Sequence, residues 1–188
     1  MLTFTYALAP ERFAELINSF FLYSFLGWIM ECIVITYEKK RLTNRGFVHG
    51  PFCIIYGFGS MIGYVALKPF AQNAIILYCV SALAATCFEF LTAKLMIALL
   101  GDFWWDYSSK PFNYKGILCL ESTLAWGVVG LLLFYFLHDF VEGVVRLVPA
   151  GIASRAAVVL VVYYIIDFCW SFYIARREKA NGNTAYEH

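Results

Sequence analysis

The chain has 188 residues, of which 62% are hydrophobic and only 14% charged, and its mean hydropathy is +0.70. A soluble domain carries about a quarter charged residues, so a chain this apolar is expected to have lipid as its solvent. A formal net charge of +1 leaves no concentrated basic face for phosphate, which argues against a nucleic-acid partner.

The first residues, MLTFTYALAPERF, lack a basic stretch, and the apolar run behind them is too long for a signal's core, so no cleavable signal is expected. Five apolar segments then follow, at about 13–37, 52–67, 73–100, 117–137 and 153–175. Most reach the ~20 residues that a helix needs to cross ~30 Å of hydrocarbon. The expected fold is therefore all-α: a polytopic helical membrane protein with about five transmembrane helices, forming a single bundle over 1–180. A disordered cytoplasmic tail is expected at 181–188. The second segment is short. It opens at Pro51, stops at Lys68-Pro69, and contains Gly57, Gly59 and Gly63. The Gly59–Gly63 spacing suits close helix packing, with a re-entrant segment as the alternative.

Lysine and arginine set the expected orientation. Lys39, Lys40, Arg41 and Arg45 follow the first segment, Lys110 and Lys115 the third, and Arg176, Arg177 and Lys179 the fifth. With five spans these nine share one side, against Arg12, Lys68, Arg146 and Arg155 on the other. The majority side is the cytoplasm of an inner-membrane protein, with the N-terminus outside and the C-terminus inside. A weak repeat runs through the first four segments. Glu31 precedes a basic loop and GPFCIIYG, and Glu89 precedes a polar loop and GILCLESTLAWG. Gly50 and Cys53 match Gly116 and Cys119, which suggests a parallel helix–loop–helix repeat.

Four acids, Glu31, Glu89, Glu121 and Asp167, fall well inside the apolar segments, and intramembrane acids rarely face lipid. At 1.5 Å of rise per residue, Glu121 lies ~6 Å, Glu31 ~9 Å, Asp167 ~12 Å and Glu89 ~16 Å from the cytoplasmic ends. All sit in the inner half, so one acidic cavity open to the cytoplasm is expected. Arg45, His49, Lys110 and Asn113 of the inner loops would close it from below. Trp104, Trp105 and Tyr107, beside Asp106, would form a lid. A plainer reading has the acids paired with Arg45, Lys94 and Lys110 in a self-satisfied network that fixes helix register. The six cysteines read as small buried hydrophobes, and most of the 18 Phe, 13 Tyr and 5 Trp as lipid-facing or interfacial. His49, His138 and His188 show no metal-ligand spacing, although carboxylates with His49 could hold a hard cation. No phosphate-binding loop and no nucleophile elbow is present, and no cofactor is implied.

The blocks SFLGWIMECI, RGFVHGPFCIIYGFG and WWDYSSKPFNYKGILCLESTLAWG, in this order and spacing, resemble the bacterial ABC-transporter permease family called type IV or CmpB-like. The likeness covers most of 24–130, with His49 in place of an asparagine. It implies transport, with a separate ATPase subunit as a partner beside membrane lipids and a homo-oligomer left open. Together these readings give a transport-type protein that binds a polar or cationic ligand. Glu31, Glu89, Glu121 and Asp167 supply charge, and Arg45, Lys110 and Asn113 orient any phosphate or carboxylate. The alternatives are a membrane enzyme acting on a lipid-linked substrate through paired carboxylates, and a non-catalytic assembly or sensor subunit.

Overall fold

The computed structural model describes residues 10–180 apart from 42, 43 and 45; the expected tail at 181–188 and Arg45 lie outside the described residues. Helix α1 spans Pro10–Lys39, α2 Ile54–Leu67, α3 Ala74–Leu100, α4 Leu120–Leu132, α5 His138–Arg146 and α6 Ala150–Ala180. Among the described residues there is no strand, and the one extended pairing is an isolated bridge between Tyr114 and Leu118. The chain is all-α. Among the described residues four helical stretches are long and apolar enough to cross a membrane: Arg12–Tyr37, Ala74–Leu100, Leu120–Arg146 and Ala150–Glu178. The shorter Ile54–Phe70 is the expected short second segment.

Local chemistry sets the helix ends. Pro10 takes the first position of α1, where a missing N–H costs no helical bond. The chain leaves α1 through Lys40 at φ 50°. The Asn73 side chain accepts from the amides of Ile75 and Ile76 and starts α3, which stops at Gly101 with φ 89°. The Cys119 thiol accepts the Ser122 amide at 3.3 Å and starts α4, so 117–119 belong to the preceding loop rather than to the fourth span. That span also does not end at 137. A five-residue π-helical stretch, Leu133–Leu137, carries α4 into α5 without a break. The sequence HDFVEGVVR reads as polar, yet Val141 and Val145, one turn apart, are buried while Asp139 and Arg146 face outward.

The chain divides into two compact units. The first runs to Phe58 and takes in His138–Trp170. Its core holds Phe21, Tyr23, Ser24, Val48, Val141, Val145, Ala153 and Ala157. Here α5 packs on α1, and the Tyr23 hydroxyl lies 2.9 Å from His138 Nδ1. The amide of Asn18 donates to the Ala153 carbonyl at 2.9 Å and ties α1 to α6. A side chain at Gly27 would collide with the Tyr56 ring, at 2.2 Å.

The second unit holds Gly59–Leu137 and the chain from Ser171 onward, and the α3–α4 pairing dominates it. A Cβ on Gly127 would lie 2.5 Å from the Tyr78 ring, and one on Gly130 would lie 2.2 Å from Ser81. These contacts, not the expected Gly59–Gly63 pair, mark the close helix approaches: a Cβ at Gly63 would meet nothing within 4 Å. Thr86 donates to Thr123 at 3.0 Å, and the Tyr78 hydroxyl donates to the Leu124 carbonyl at 3.0 Å. Large apolar side chains such as Leu83, Leu91 and Leu95 on α3 stay exposed, as expected of helices whose outer face meets lipid. The cysteines follow the same division. Only Cys119 is buried, while Cys79, Cys87 and Cys169 are exposed on apolar helix faces.

Candidate functional site

The four intramembrane carboxylates fall two to each unit, in four different settings. Glu89, in the last three turns of α3, is buried, with 4% of its surface accessible. Tyr107, Ser122 and Trp126 are among its partners. Tyr107 Oη lies 3.1 Å from Oε1; Trp126 Nε1 lies 3.1 Å and Ser122 Oγ 3.4 Å from Oε2. Ser122 and Trp126 are one turn apart on α4 and so share a face. Tyr107 comes from the loop 101–119. Such hydrogen bonds offset part of the cost of holding a carboxylate away from water.

That loop is closely knit by its own bonds. The Tyr107 amide donates to the Gly116 carbonyl at 2.8 Å, and Trp105 Nε1 to the Ile117 carbonyl at 2.8 Å. Asn113 Nδ2 donates to the carbonyls of Lys110 at 2.8 Å and Ser108 at 3.2 Å. Gly116 takes φ 69°, and a Cβ there would stand 2.6 Å from Ser108 Oγ and 2.8 Å from Asp106 Oδ1. Asp106 accepts the Ser108 amide at 2.8 Å. The Ser108 hydroxyl first, and its amide second, hold the Asp106 carboxyl below its ordinary value of 3.8. Trp105, Asp106 and Asn113 thus build the loop, while Tyr107 carries it to Glu89.

Glu121 differs from Glu89. Its side chain is 67% exposed and its Oε2 lies 3.2 Å from Lys110 Nζ, a pairing that the network reading expected for Lys110. Lys94 lies with its ammonium 5.4 Å from the centroid of the Phe90 ring, one turn back on α3.

In the first unit Glu31 accepts a hydrogen bond from the Tyr56 hydroxyl. Asp167 on α6 accepts the Gly50 amide at 2.7 Å and the His49 amide at 3.2 Å, and its Oδ1 lies 3.3 Å from His49 Nδ1. Backbone away from a helix has orphan N–H groups, and in a lipid-embedded chain a carboxylate is an efficient way to satisfy two of them. Asn44 joins the same loop, accepting from Trp28 Nε1 at 2.8 Å and donating to the His49 carbonyl at 3.2 Å.

The repeat in the sequence has a chemical counterpart within each unit. Three residues after the matched cysteine, in the first turn of the second helix, a side-chain hydroxyl donates to the glutamate of the first helix. Tyr56 follows Cys53 and serves Glu31; Ser122 follows Cys119 and serves Glu89. Sequence reasoning missed Tyr56 and Trp126 as carboxylate partners. The G-x-x-C match, extended by three residues, was the signal available for the first, and the one-turn spacing from Ser122 was the signal available for the second. Among the described residues no group of three His, Cys, Asp or Glu side chains is placed to hold a metal ion.

Long apolar helices with internally satisfied carboxylates define a polytopic helical membrane protein. The chain belongs to the family described as "Putative ABC-transporter type IV", whose model matches residues 18–172, and it is accordingly a transport-type membrane protein. No curated protein and no solved structure is matched.

Proposed function

We propose that the protein binds a polar, preferentially cationic ligand at Glu89, under the loop 101–119, and that this site serves transport across the inner membrane. The observation that carries this reading is the buried Glu89 carboxylate, held by Tyr107, Ser122 and Trp126. A buried carboxylate attracts a cation strongly in a low-dielectric setting. Ser122 and Trp126 donate from α4, and Tyr107 donates from the loop. A ligand ammonium that takes the place of Tyr107 would therefore loosen the loop's hold on α3 while leaving the α4 bonds intact. Binding would then favour one loop position over the other, which is what a ligand must do to drive a conformational step. The inner loops, 40–53 and 101–119, would be the docking surface for a separate ATPase. The cytoplasm would be their side of the membrane, with the N-terminus outside.

The test is native mass spectrometry of the detergent-extracted protein and of Glu89→Gln. The glutamine keeps the shape and an acceptor but not the charge. The wild type is expected to carry a co-purified cationic adduct that the variant lacks. A folded variant with the same adduct as the wild type would remove Glu89 from the site.

A further inference from the structure

Within the first unit, a groove of about 290 Å3 runs along α6, lined by His49, Tyr163, Ile166, Asp167 and Trp170. We propose that it binds the ethanolamine headgroup of a membrane phospholipid, with the ammonium on Asp167 and the acyl chains along α6. The volume is at the small end for ligand pockets and suits a headgroup rather than a whole lipid.

The chemistry favours an ammonium. Tyr163, Asp167 and Trp170 follow one another at four and three residues, so a carboxylate stands between two aromatic rings on one helix face. A carboxylate flanked by aromatic faces is a receptor for ammonium and repels anions. A carboxylate has about four lone-pair positions. The amides of His49 and Gly50 and the His49 ring account for three. The Asp167 side chain remains 10% accessible, and its residue lines the groove.

The surroundings favour a lipid as the bearer of that ammonium. Val159, Val162, Ile166 and Trp170 recur at three- and four-residue spacing along α6, and each is more than half exposed. This apolar stripe runs from the groove away from the C-terminal end of the span and offers a bed for acyl chains. Asp167 is eleven residues from that end at Glu178, ~16 Å by helical rise. The headgroup is therefore drawn to about the middle of the ~30 Å hydrocarbon layer, with its tails continuing along the stripe. The polar side of its path is the loop bearing His49, whose side chain is 64% exposed at the rim and can meet the phosphate of the same headgroup. The site lies in the first unit and does not rest on the reading of Glu89.

The full-length protein in nanodiscs of equal parts phosphatidylethanolamine and phosphatidylglycerol, examined by native mass spectrometry, tests the proposal. The wild type is expected to retain phosphatidylethanolamine in preference. Loss of a charge-assisted hydrogen bond in Asp167→Asn is expected to weaken that retention by about tenfold or more. Trp170→Leu, which keeps bulk and apolarity, is expected to weaken it severalfold, and Glu89→Gln to leave it unchanged. Equal retention of both lipids by the wild type would overturn the proposal, as would an undiminished preference in Trp170→Leu. Should Asp167→Asn fail to fold for want of a cap on the His49 and Gly50 amides, Trp170→Leu decides alone. Displacement of the lipid by equimolar free phosphoethanolamine would overturn the assignment to a lipid.

Discussion

Two glutamates on facing helices show how burial decides what a carboxylate is worth. Glu121 is 67% exposed and joined to Lys110 in a partly exposed ion pair. Such pairs contribute ~0–1 kcal/mol, so Glu121→Gln is expected to move the thermal midpoint in detergent hardly at all. Glu89→Ala would leave Tyr107, Ser122 and Trp126 facing a void, and is expected to cost more than about 2 kcal/mol in the same measurement. Asp106 supplies a pH signature. Its folded carboxyl titrates below 3.8, so its contribution is present above that value and is lost as pH falls through the lower, folded one. Acid titration is therefore expected to show a small loss of loop stability below about pH 4 that is absent from Asp106→Asn. Ser108→Ala is expected to raise the Asp106 titration midpoint toward 3.8, as followed by carboxyl NMR or infrared bands.

At the scale of the element, glycines decide how closely helices meet. A Cβ on Gly130 would lie 2.2 Å from Ser81 on the packed helix, and no rotamer of so short a side chain moves its own Cβ away. Gly130→Ala is expected to cost ~1–3 kcal/mol, the usual range for overpacking. Gly63→Ala and Gly143→Ala meet nothing within 4 Å and are expected to be neutral or slightly stabilising through helix propensity. Thermal unfolding of the three variants in one detergent separates these outcomes. The π-helical stretch Leu133–Leu137 is the other decisive element. It sits immediately before His138, which reaches Tyr23 through Nδ1 and lies 3.6 Å from Glu142 through Nε2. The extra residue of a π turn shifts the face that follows, and here it precedes the helix that turns Val141 and Val145 inward.

At the scale of the molecule, the distribution of lysine and arginine predicts which ends face the cytoplasm. A cysteine at position 110 is expected to react with an impermeant maleimide only after cells are opened, and one at position 68 in intact cells. The reverse pattern would invert the topology and move the proposed ATPase surface to the wrong side. An ATPase subunit is expected to co-purify with the wild type and to be lost when the exposed Phe112 at the tip of the 101–119 loop is changed to Asp, with the thermal midpoint unchanged.

Hydropathy alone determined the lipid-embedded, all-α class and placed four of the five apolar segments within a few residues, because a span must be long and apolar whatever it packs against. It also singled out Glu31, Glu89, Glu121 and Asp167, since acids in such segments are costly. The continuation of the fourth span to Arg146 was not legible, because an amphipathic turn shows its buried side only when α1 is there to cover it. Nor did one-dimensional spacing tell a buried carboxylate from an exposed one. Glu89 is enclosed because Tyr107, brought back by the loop, and Trp126 on α4 converge on it, whereas Glu121 is left at the surface with Lys110. Convergence of that kind joins residues far apart in the chain, and only the tertiary structure decides it.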